Sequence, residues 1–192
     1  PRIHSEFAKE LGIDISYEAI EIAPKDFNSA TKQLLENGYD GLNVTLPLKQ
    51  LAFSLADEVS QSGKESGAVN TLWKEKGKIF ADSTDGKGLV EDLLNNKISL
   101  KDSDLVILGA GGAARSILPS VLSLRPKRIT LLNRTLEKSR ALVDQFKVSG
   151  VQMQALPAEE IPEGSPTGVI NTTSAGVIGE DLILNEKIFK KA

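Results

Sequence analysis

The feature that most constrains the fold is an apolar run, SDLVIL (103–108), followed at once by a glycine-rich loop, GAGGAA (109–114). The run has the composition of a parallel strand that is buried on both faces. The loop fits G-x-G-x-x-A, in which Gly109 permits a tight turn, Gly111 lets a pyrophosphate approach the backbone, and Ala114 allows close helix–strand packing. Glycine turns also occur for purely structural reasons. The strand–loop–helix context favours dinucleotide binding, because a helix N-terminus offers unpaired N–H groups to phosphates.

The remainder of this half continues the alternation of strand and helix that is typical of α/β proteins. The patterns that follow the loop are a helix from about Gly112, a strand RITLLN (128–133), a helix from Thr135 to about Phe146, and the strands VQMQAL (151–156) and TGVINTT (167–173). Pro119 is expected to kink or shorten the first of these helices. These patterns predict a Rossmann-like, doubly wound domain with a parallel sheet.

The first half alternates as well, but with shorter and less regular units. Its patterns are a helix at the start, a strand ISYEAIEI (15–22), a helix within 25–38 closed by Gly38, a strand GLNVTL (41–46), a helix LKQLAFSLADEV (48–59), a hairpin over 68–83 and a short helix from Asp85. We therefore predict two α/β domains. Residues 1–85 form a substrate-binding and catalytic domain, 86–100 a connecting helix and linker, and 101–192 the nucleotide-binding domain.

Composition excludes several classes of function. The 192 residues carry 23 Lys and Arg against 26 Asp and Glu, a net charge of -3, which argues against binding nucleic acid by charge alone. The absence of cysteine rules out disulfides and thiolate metal sites, and the single histidine, His4, provides no imidazole cluster. No apolar run approaches the length of a membrane span. We expect a cytoplasmic enzyme or binding protein without a metal, a nucleic-acid partner or a membrane.

The end of RITLLN (128–133), the second strand of the predicted nucleotide-binding domain, indicates which dinucleotide is bound. A site for NAD would place a carboxylate there to bind the ribose 2′-hydroxyl. The sequence instead has NRTLEK (133–138), in which Asn133, Arg134 and Thr135 sit at the strand tip and Lys138 follows. A guanidinium binds phosphate oxygens through a planar fork, so this segment favours the 2′-phosphate of NADP. The alternative is that Thr135 only caps a helix and Arg134 is a solvated charge.

A third strand end, INTTSAG (170–176), opens into a loop of small residues. Ligands of doubly wound sheets lie beyond the carboxyl ends of the strands. We expect Thr172, Thr173 and Ser174 to face the nicotinamide side of the cofactor, with Gly176 allowing close approach. A simple Ser/Thr turn is the alternative.

Polar residues also lie at strand ends of the first half, in NVTLPLK (43–49), AVNT (68–71) and DSTDGKG (82–88). Lys49 follows the break at Pro47, and Asp85 lies where a strand ends and the connecting helix begins. If the two meet, they form a proton-relay pair for a substrate hydroxyl, since a hydride that leaves carbon requires the hydroxyl proton to leave too. Taken singly, Lys49 could be a solvated residue and Asp85 a helix N-cap.

These motifs together resemble a known family. NVTLPLK, GAVNTL, DSTDGKG, GAGGAAR, NRT and INTTSAG look like the successive signature motifs of shikimate dehydrogenases, from Pro1 to about Gly176. The resemblance implies NADP-dependent, reversible reduction of 3-dehydroshikimate to shikimate in aromatic amino-acid biosynthesis. It also implies a monomer or homodimer that acts on a small molecule.

The resemblance assigns roles to individual residues. Lys49 matches the catalytic lysine, Asp85 the aspartate paired with it, and Thr45 and Asn70 ligands of substrate hydroxyls. The pyrophosphate loop would comprise Gly109, Ala110, Gly111, Gly112 and Ala113, and the 2′-phosphate clamp Asn133, Arg134, Thr135 and Lys138.

The family's pattern extends past both ends of the sequence. Its first strand, with a Ser-x-Ser that holds the substrate carboxylate, would precede Pro1, and a segment with a tyrosine and a glutamine would follow Ala192. We therefore expect a chain truncated at both ends and, as written, without full activity. The alternatives are a quinate/shikimate dehydrogenase that uses NAD, a methylene-tetrahydrofolate type of dehydrogenase, which NVTLPLK and DSTDG disfavour, and an NADP-binding module without catalysis.

Overall fold

The structure is a computed structural model that describes residues 1–160 and 162–175. Helices and strands alternate along the chain, and the strands form two separate four-stranded sheets. The helices are α1 (Arg2–Leu11), α2 (Phe27–Glu36), α3 (Lys49–Leu55), α4 (Gln61–Ser66), α5 (Asp85–Asn95), α6 (Gly112–Ser123) and α7 (Leu136–Phe146). The strands are β1 (Gly41–Asn43), β2 (Glu58–Val59), β3 (Thr71–Glu75), β4 (Lys78–Asp82), β5 (Asp104–Leu108), β6 (Arg128–Asn133), β7 (Gln152–Pro157) and β8 (Gly168–Asn171).

The first sheet has the strand order β1-β3-β4-β2. Its centre is the predicted hairpin, in which β3 and β4 pair antiparallel and the chain turns through Lys76 and Gly77. Both turn residues have positive φ, 49° and 80°, as a tight two-residue hairpin turn requires. The hairpin brings Thr71 opposite Asp82, so the residues just before β3 and just after β4 lie side by side.

The second sheet is parallel throughout, with the order β7-β6-β5-β8. The apolar run of β5 is covered on both faces. Leu105 and Ile107 pack with residues of α6 and α7, while Val106 and Leu108 pack in a second cluster with residues of β6, β7 and β8. Because β6 and β8 lie on opposite sides of β5, the strand order reverses at the end of β5. In doubly wound sheets this reversal creates the crevice that binds ligands.

The prediction of a strand over 15–22 is wrong. This segment is irregular and pairs with no strand of the described residues. Its β-branched residues favour extended backbone, but a strand also needs a neighbour to complete a ladder of hydrogen bonds. Among the described residues, β1 is one of the two edge strands of the first sheet and pairs with β3 alone, so residues 15–22 do not extend the sheet at this edge.

Other boundaries also differ from the expected ones. The helix expected over 48–59 ends at Leu55, because Ala56 is extended, and Glu58 and Val59 form a short strand parallel to β4. The strand expected over 41–46 ends at Asn43. Helix α4 was not predicted, since its six residues are too few to show a helical period. Of the two effects expected of Pro119, a kink or a shortened helix, the shortening does not occur, because α6 continues through Pro119 to Ser123.

Each sheet has its own hydrophobic core. The first core contains Phe27, Ala52, Val69 and Leu72, and the second contains Ile107, Leu118, Ile129 and Leu131. In the part of the chain that the structure describes, no helix is long and apolar enough to cross a membrane.

Candidate active site

The glycine-rich loop lies at the strand-order reversal of the second sheet. Gly109 has φ +99°, and a Cβ there would lie 2.9 Å from Thr172 Oγ1, so a side chain would collide with the end of β8. Gly111, the N-cap of α6, is exposed, and a Cβ built on it meets no atom of the described residues within 4 Å. Ala114 is fully buried. The loop is thus held tightly on the sheet side and open on the side from which a phosphate would approach.

The other residues of the loop surround the same helix end. Ala110, Gly112 and Ala113 are partly exposed, and α6 begins at Gly112. The N–H groups of its first turn face no capping side chain, since Gly111 offers none. The loop residues therefore fit a pyrophosphate, because backbone N–H groups and the positive end of the helix dipole both favour an anion there.

The segment after β6 exposes its cationic side chains, which form no ion pair within the described residues. Asn133 Nδ2 donates to the Thr135 carbonyl at 2.8 Å, which closes a tight turn. Arg134, Thr135 and Lys138 are exposed, and no carboxylate among the described residues forms an ion pair with either cation. Thr135 is the N-cap residue of α7, but its hydroxyl makes no capping bond. Within the described part of the chain, two cations and one hydroxyl are therefore available to an incoming phosphate.

The threonines after β8 already have partners. Thr172 Oγ1 donates to the Leu108 carbonyl at 2.6 Å and so ties the end of β8 to the end of β5. Thr173 donates through its N–H and its hydroxyl to Asn171 Oδ1. Ser174 follows in a bend, and Gly176 lies outside the described residues. In this arrangement both threonines shape the strand end.

Lys49 and Asp85 meet, although 36 positions separate them in the sequence. Lys49 is the first residue of α3, and Asp85 the first residue of α5. Lys49 Nζ donates to Asp85 Oδ2 at 2.5 Å, and the two side chains are only 11% and 25% exposed. The pair is therefore shielded from bulk water but still open on one side.

Asn70 completes the fixation of this carboxylate. Its Nδ2 donates to Asp85 Oδ1 at 2.8 Å, so each carboxylate oxygen has its own donor. Asn70 Oδ1 accepts the Thr84 N–H at 3.1 Å and the Thr71 hydroxyl. Thr84 also bonds the Asn70 amide through its hydroxyl. The sequence had suggested Asn70 as a substrate ligand, and its bonds to Asp85 and Thr84 were not foreseen.

The polar residues of NVTLPLK differ in their hydrogen-bond partners and in their exposure. Thr45 is exposed and Val44 is buried. Asn43 Oδ1 accepts a hydrogen bond from Tyr17 at 2.7 Å, and burial raises the pKa of Tyr17. The ring of Tyr17 stacks on His4 at 4.0 Å between centroids. Tyr17 was missed because it lies in the segment that we had predicted as a strand, where an aromatic residue carries no particular signal.

A second carboxylate anchors the segment that leads to Asp85. Asp82 Oδ1 accepts from Ser60 at 2.5 Å, from Ser62 at 2.6 Å and from the Ser83 N–H at 2.7 Å. Burial acts to raise the pKa of Asp82, but these three hydrogen bonds outweigh it, and the net effect is a lowered pKa. Asp82 thus joins the end of β4 to the start of α4.

The lysine–aspartate pair and the phosphate loop are neighbours. A Cβ built on Gly112 would lie 3.5 Å from Lys49 Cβ and 3.7 Å from its Cδ, so the lysine stem crosses the first turn of α6. A paired ammonium and carboxylate therefore stand beside the helix end that suits a pyrophosphate. This combination of a parallel sheet, a glycine-rich loop and an acid–base pair defines a protein of the Rossmann-type dinucleotide-binding class.

Comparison with known proteins narrows this class. Residues 1–72 match the shikimate dehydrogenase substrate binding domain, and residues 90–177 match the shikimate / quinate 5-dehydrogenase family. A shikimate dehydrogenase (NADP(+)) from Acinetobacter baumannii is 40% identical over 196 residues, which cover 100% of this chain and 74% of the relative. The chain belongs to the shikimate dehydrogenase family, as its motifs had predicted.

Solved structures agree. Shikimate dehydrogenase from Aquifex aeolicus superposes with a TM-score of 0.84 at 29% identity, over 98% of this chain and 69% of that one. The enzyme from Thermus thermophilus, solved with NADP(H) and shikimate, gives 0.77 at 31% identity, over 91% of this chain and 63% of that one. The predicted fold class is confirmed.

Proposed function

We propose that this chain catalyses the NADP-dependent, reversible reduction of 3-dehydroshikimate to shikimate. The observation that supports it most directly is the 2.5 Å contact between Lys49 Nζ and Asp85 Oδ2 beside Gly112. An alcohol dehydrogenation needs a group that takes the hydroxyl proton close to the group that takes the hydride. The relatives are named for this activity, and the solved relatives include structures determined with shikimate.

In this proposal Lys49 and Asp85 are the catalytic residues. During oxidation the hydroxyl proton passes to the pair as the C–H hydrogen leaves as hydride, and during reduction the pair returns a proton to the carbonyl oxygen. NADP, when bound, supplies the hydride acceptor. Asn70 holds Asp85 Oδ1, so only a narrow range of carboxylate orientations is open. General acid–base help of this kind contributes about 10²–10⁴-fold to the rate.

We assign cofactor and substrate contacts to the residues that the loops expose. Gly109 to Ala113 would hold the pyrophosphate. Asn133 would shape the 2′-phosphate clamp, while Arg134, Thr135 and Lys138 would supply its donors. Thr172 and Thr173 would shape the nicotinamide side. Thr45 and Asn70 would bind hydroxyls of the substrate, and Asn70 would do so in addition to its bond to Asp85.

We further propose the division into a substrate domain over 1–85, a connecting segment over 86–100 and an NADP domain over 101–192. The separate sheets and cores on either side of α5 support it. The molecule would work in the cytoplasm on a small substrate, as a monomer or homodimer.

The test is the initial rate of NADP⁺ reduction, followed by absorbance, with shikimate or quinate and with NADP⁺ or NAD⁺. Because the chain spans 74% of the A. baumannii relative, the assay is also run on an extended chain, in which residues 1–192 carry the terminal segments of that relative. We expect turnover with shikimate and NADP⁺. Turnover mainly with quinate and NAD⁺ would favour the quinate/shikimate alternative. NADP⁺ binding without any turnover would favour a binding module.

A further inference from the structure

Helix α5, which begins at Asp85, approaches α6 unusually closely at its second residue. A Cβ built on Gly86 would lie 2.3 Å from Ser120 Oγ, 2.9 Å from Ser120 Cβ and 3.0 Å from the Ser116 carbonyl oxygen. Distances below 3.0 Å are not tolerated, and two of these three atoms are a carbonyl oxygen and a Cβ, which cannot rotate away. The position is buried. Only glycine therefore lets α5 rest on α6 in this way.

The residue before this contact is the carboxylate of the proposed pair. Asp85 and Gly86 are consecutive in the first turn of α5, so any shift of α5 away from α6 also moves Asp85. Lys49 is supported by the same helix, since its stem lies against Gly112, one turn before Ser116. Helix α6 thus supports both members of the pair, and its N-terminus begins at the phosphate loop.

We propose that Gly86 is a positioning residue that acts through Asp85. Because glycine has no side chain, the N-terminus of α5 can pack close to α6. This short distance between the helices positions the Asp85 carboxylate relative to Lys49 and to the dinucleotide loop. Ser120 is the partner surface of the contact. This inference rests on the proposed function, because it concerns the placement of the group that handles the hydroxyl proton.

The experiment compares two glycines of the same helix. Gly86→Ala adds a methyl group against Ser120, whereas Gly88→Ala adds the same group at a position with no neighbouring atom within 4 Å in the described part of the chain. Alanine is the better helix former, so without the contact both changes would stabilise α5. Both are made in the extended chain, together with Ser120→Gly and the double variant Gly86→Ala/Ser120→Gly. The measured quantities are kcat and KM for shikimate, the Kd of NADP⁺, and the midpoint of thermal unfolding.

We expect Gly86→Ala to lower kcat by about 10–100-fold, because misplacement of a catalytic group by about 1 Å can cost 10²-fold. The Kd of NADP⁺ should stay within about threefold, since the phosphate loop is not displaced. Gly88→Ala should match the unmodified chain in kcat, KM and the Kd of NADP⁺, and its midpoint of thermal unfolding should be equal or higher. The double variant should recover most of the lost kcat, because Ser120→Gly removes the two nearest atoms, and the third, the Ser116 carbonyl oxygen, lies at 3.0 Å.

Three results would overturn the proposal: an unchanged kcat in Gly86→Ala, an equal loss of kcat and NADP⁺ affinity, or no recovery in the double variant. If Gly86→Ala does not fold, Ser120→Val crowds the same contact from α6 and should lower kcat in its place, and a normal kcat in that variant would refute the positioning role. An unmodified extended chain without turnover would instead show that the proposed function is wrong. The two failures are therefore distinguishable.

Discussion

Replacement of Lys49 by methionine is the sharpest test of the proposed chemistry. Methionine keeps an unbranched stem against Gly112 but removes the ammonium, so the Asn70 amide is then the one donor to the Asp85 carboxylate among the described residues. Loss of one partner of a buried ion pair costs about 3–5 kcal/mol. Because the Asp85 side chain is 25% exposed, water recovers part of this loss, and we expect about 1–3 kcal/mol.

Turnover should fall much further than stability alone would explain. We expect Lys49→Met to lower kcat by about 10²–10⁴-fold, measured by NADP⁺ reduction with shikimate, while NADP⁺ affinity hardly changes. Lys78 provides the control, since it pairs with Glu58 at 2.8 Å, but the two side chains are 57% and 48% exposed. Lys78→Met should leave the midpoint of urea unfolding close to that of the unmodified chain and kcat unaltered, because water and salt screen an exposed pair.

A double variant separates the structural role of the pair from its chemical role. Asp85→Asn combined with Lys49→Met removes both charges, so the unpaired carboxylate disappears and most of the stability should return. Turnover should not return, because neither residue can then accept the hydroxyl proton. A Lys49→Met variant with kcat within a few-fold of the unmodified chain would refute the reasoning.

Three further predictions concern the cofactor clamp, the response to pH and the contact between the two halves. Arg134→Ala should raise the Kd of NADP⁺ by about tenfold or more and that of NAD⁺ little, as measured by fluorescence titration; equal losses would remove the 2′-phosphate assignment. Because the pKa of Asp82 is lowered in the folded chain, its carboxylate stabilises the fold at pH values above the pKa that it has in the unfolded chain. This stabilisation is lost as the pH falls through the folded pKa. The urea concentration at the unfolding midpoint should therefore decrease as the pH is lowered from about 5 to about 3, and Asp82→Asn should show a shallower dependence on pH. Identical slopes would contradict this account. The guanidinium of Arg115 bonds Gln145, lies over Phe146 and approaches Gly67, so it contributes to the contact between the two halves. Replacement of Arg115 by methionine should lower the free energy of unfolding, measured in urea, by about 1–2 kcal/mol.

Local patterns were reliable where the local and the tertiary preferences agree. The apolar run of β5 is buried on both faces, as its composition indicated, and the glycine-rich loop opens α6 where the spacing placed it. The hairpin turn was also recognisable, because Lys76-Gly77 joins two runs of strand-forming residues. In each case the residues that define the element lie within a few positions of one another.

Patterns failed where the outcome depends on a distant partner. Residues 15–22 have strand-forming composition but gain no ladder among the described residues. Glu58 and Val59 leave the predicted helix because β4 offers them a parallel edge. Helix α6 continues past Pro119, since the burial of Leu118 and Val121 offsets the hydrogen bond that proline cannot make.

By itself, the sequence determined the α/β class, the dinucleotide loop and the family, because these depend on residue types at short, regular spacings. The family resemblance implied that Lys49 and Asp85 are paired, but only the tertiary structure shows their contact at 2.5 Å, the bond from Asn70 to the carboxylate and the packing of Gly86 against Ser120 of α6. These contacts join positions far apart in the chain. The distances between these atoms are fixed to within tenths of an ångström only when the helices pack, and the spacing of residues in the sequence does not predict them.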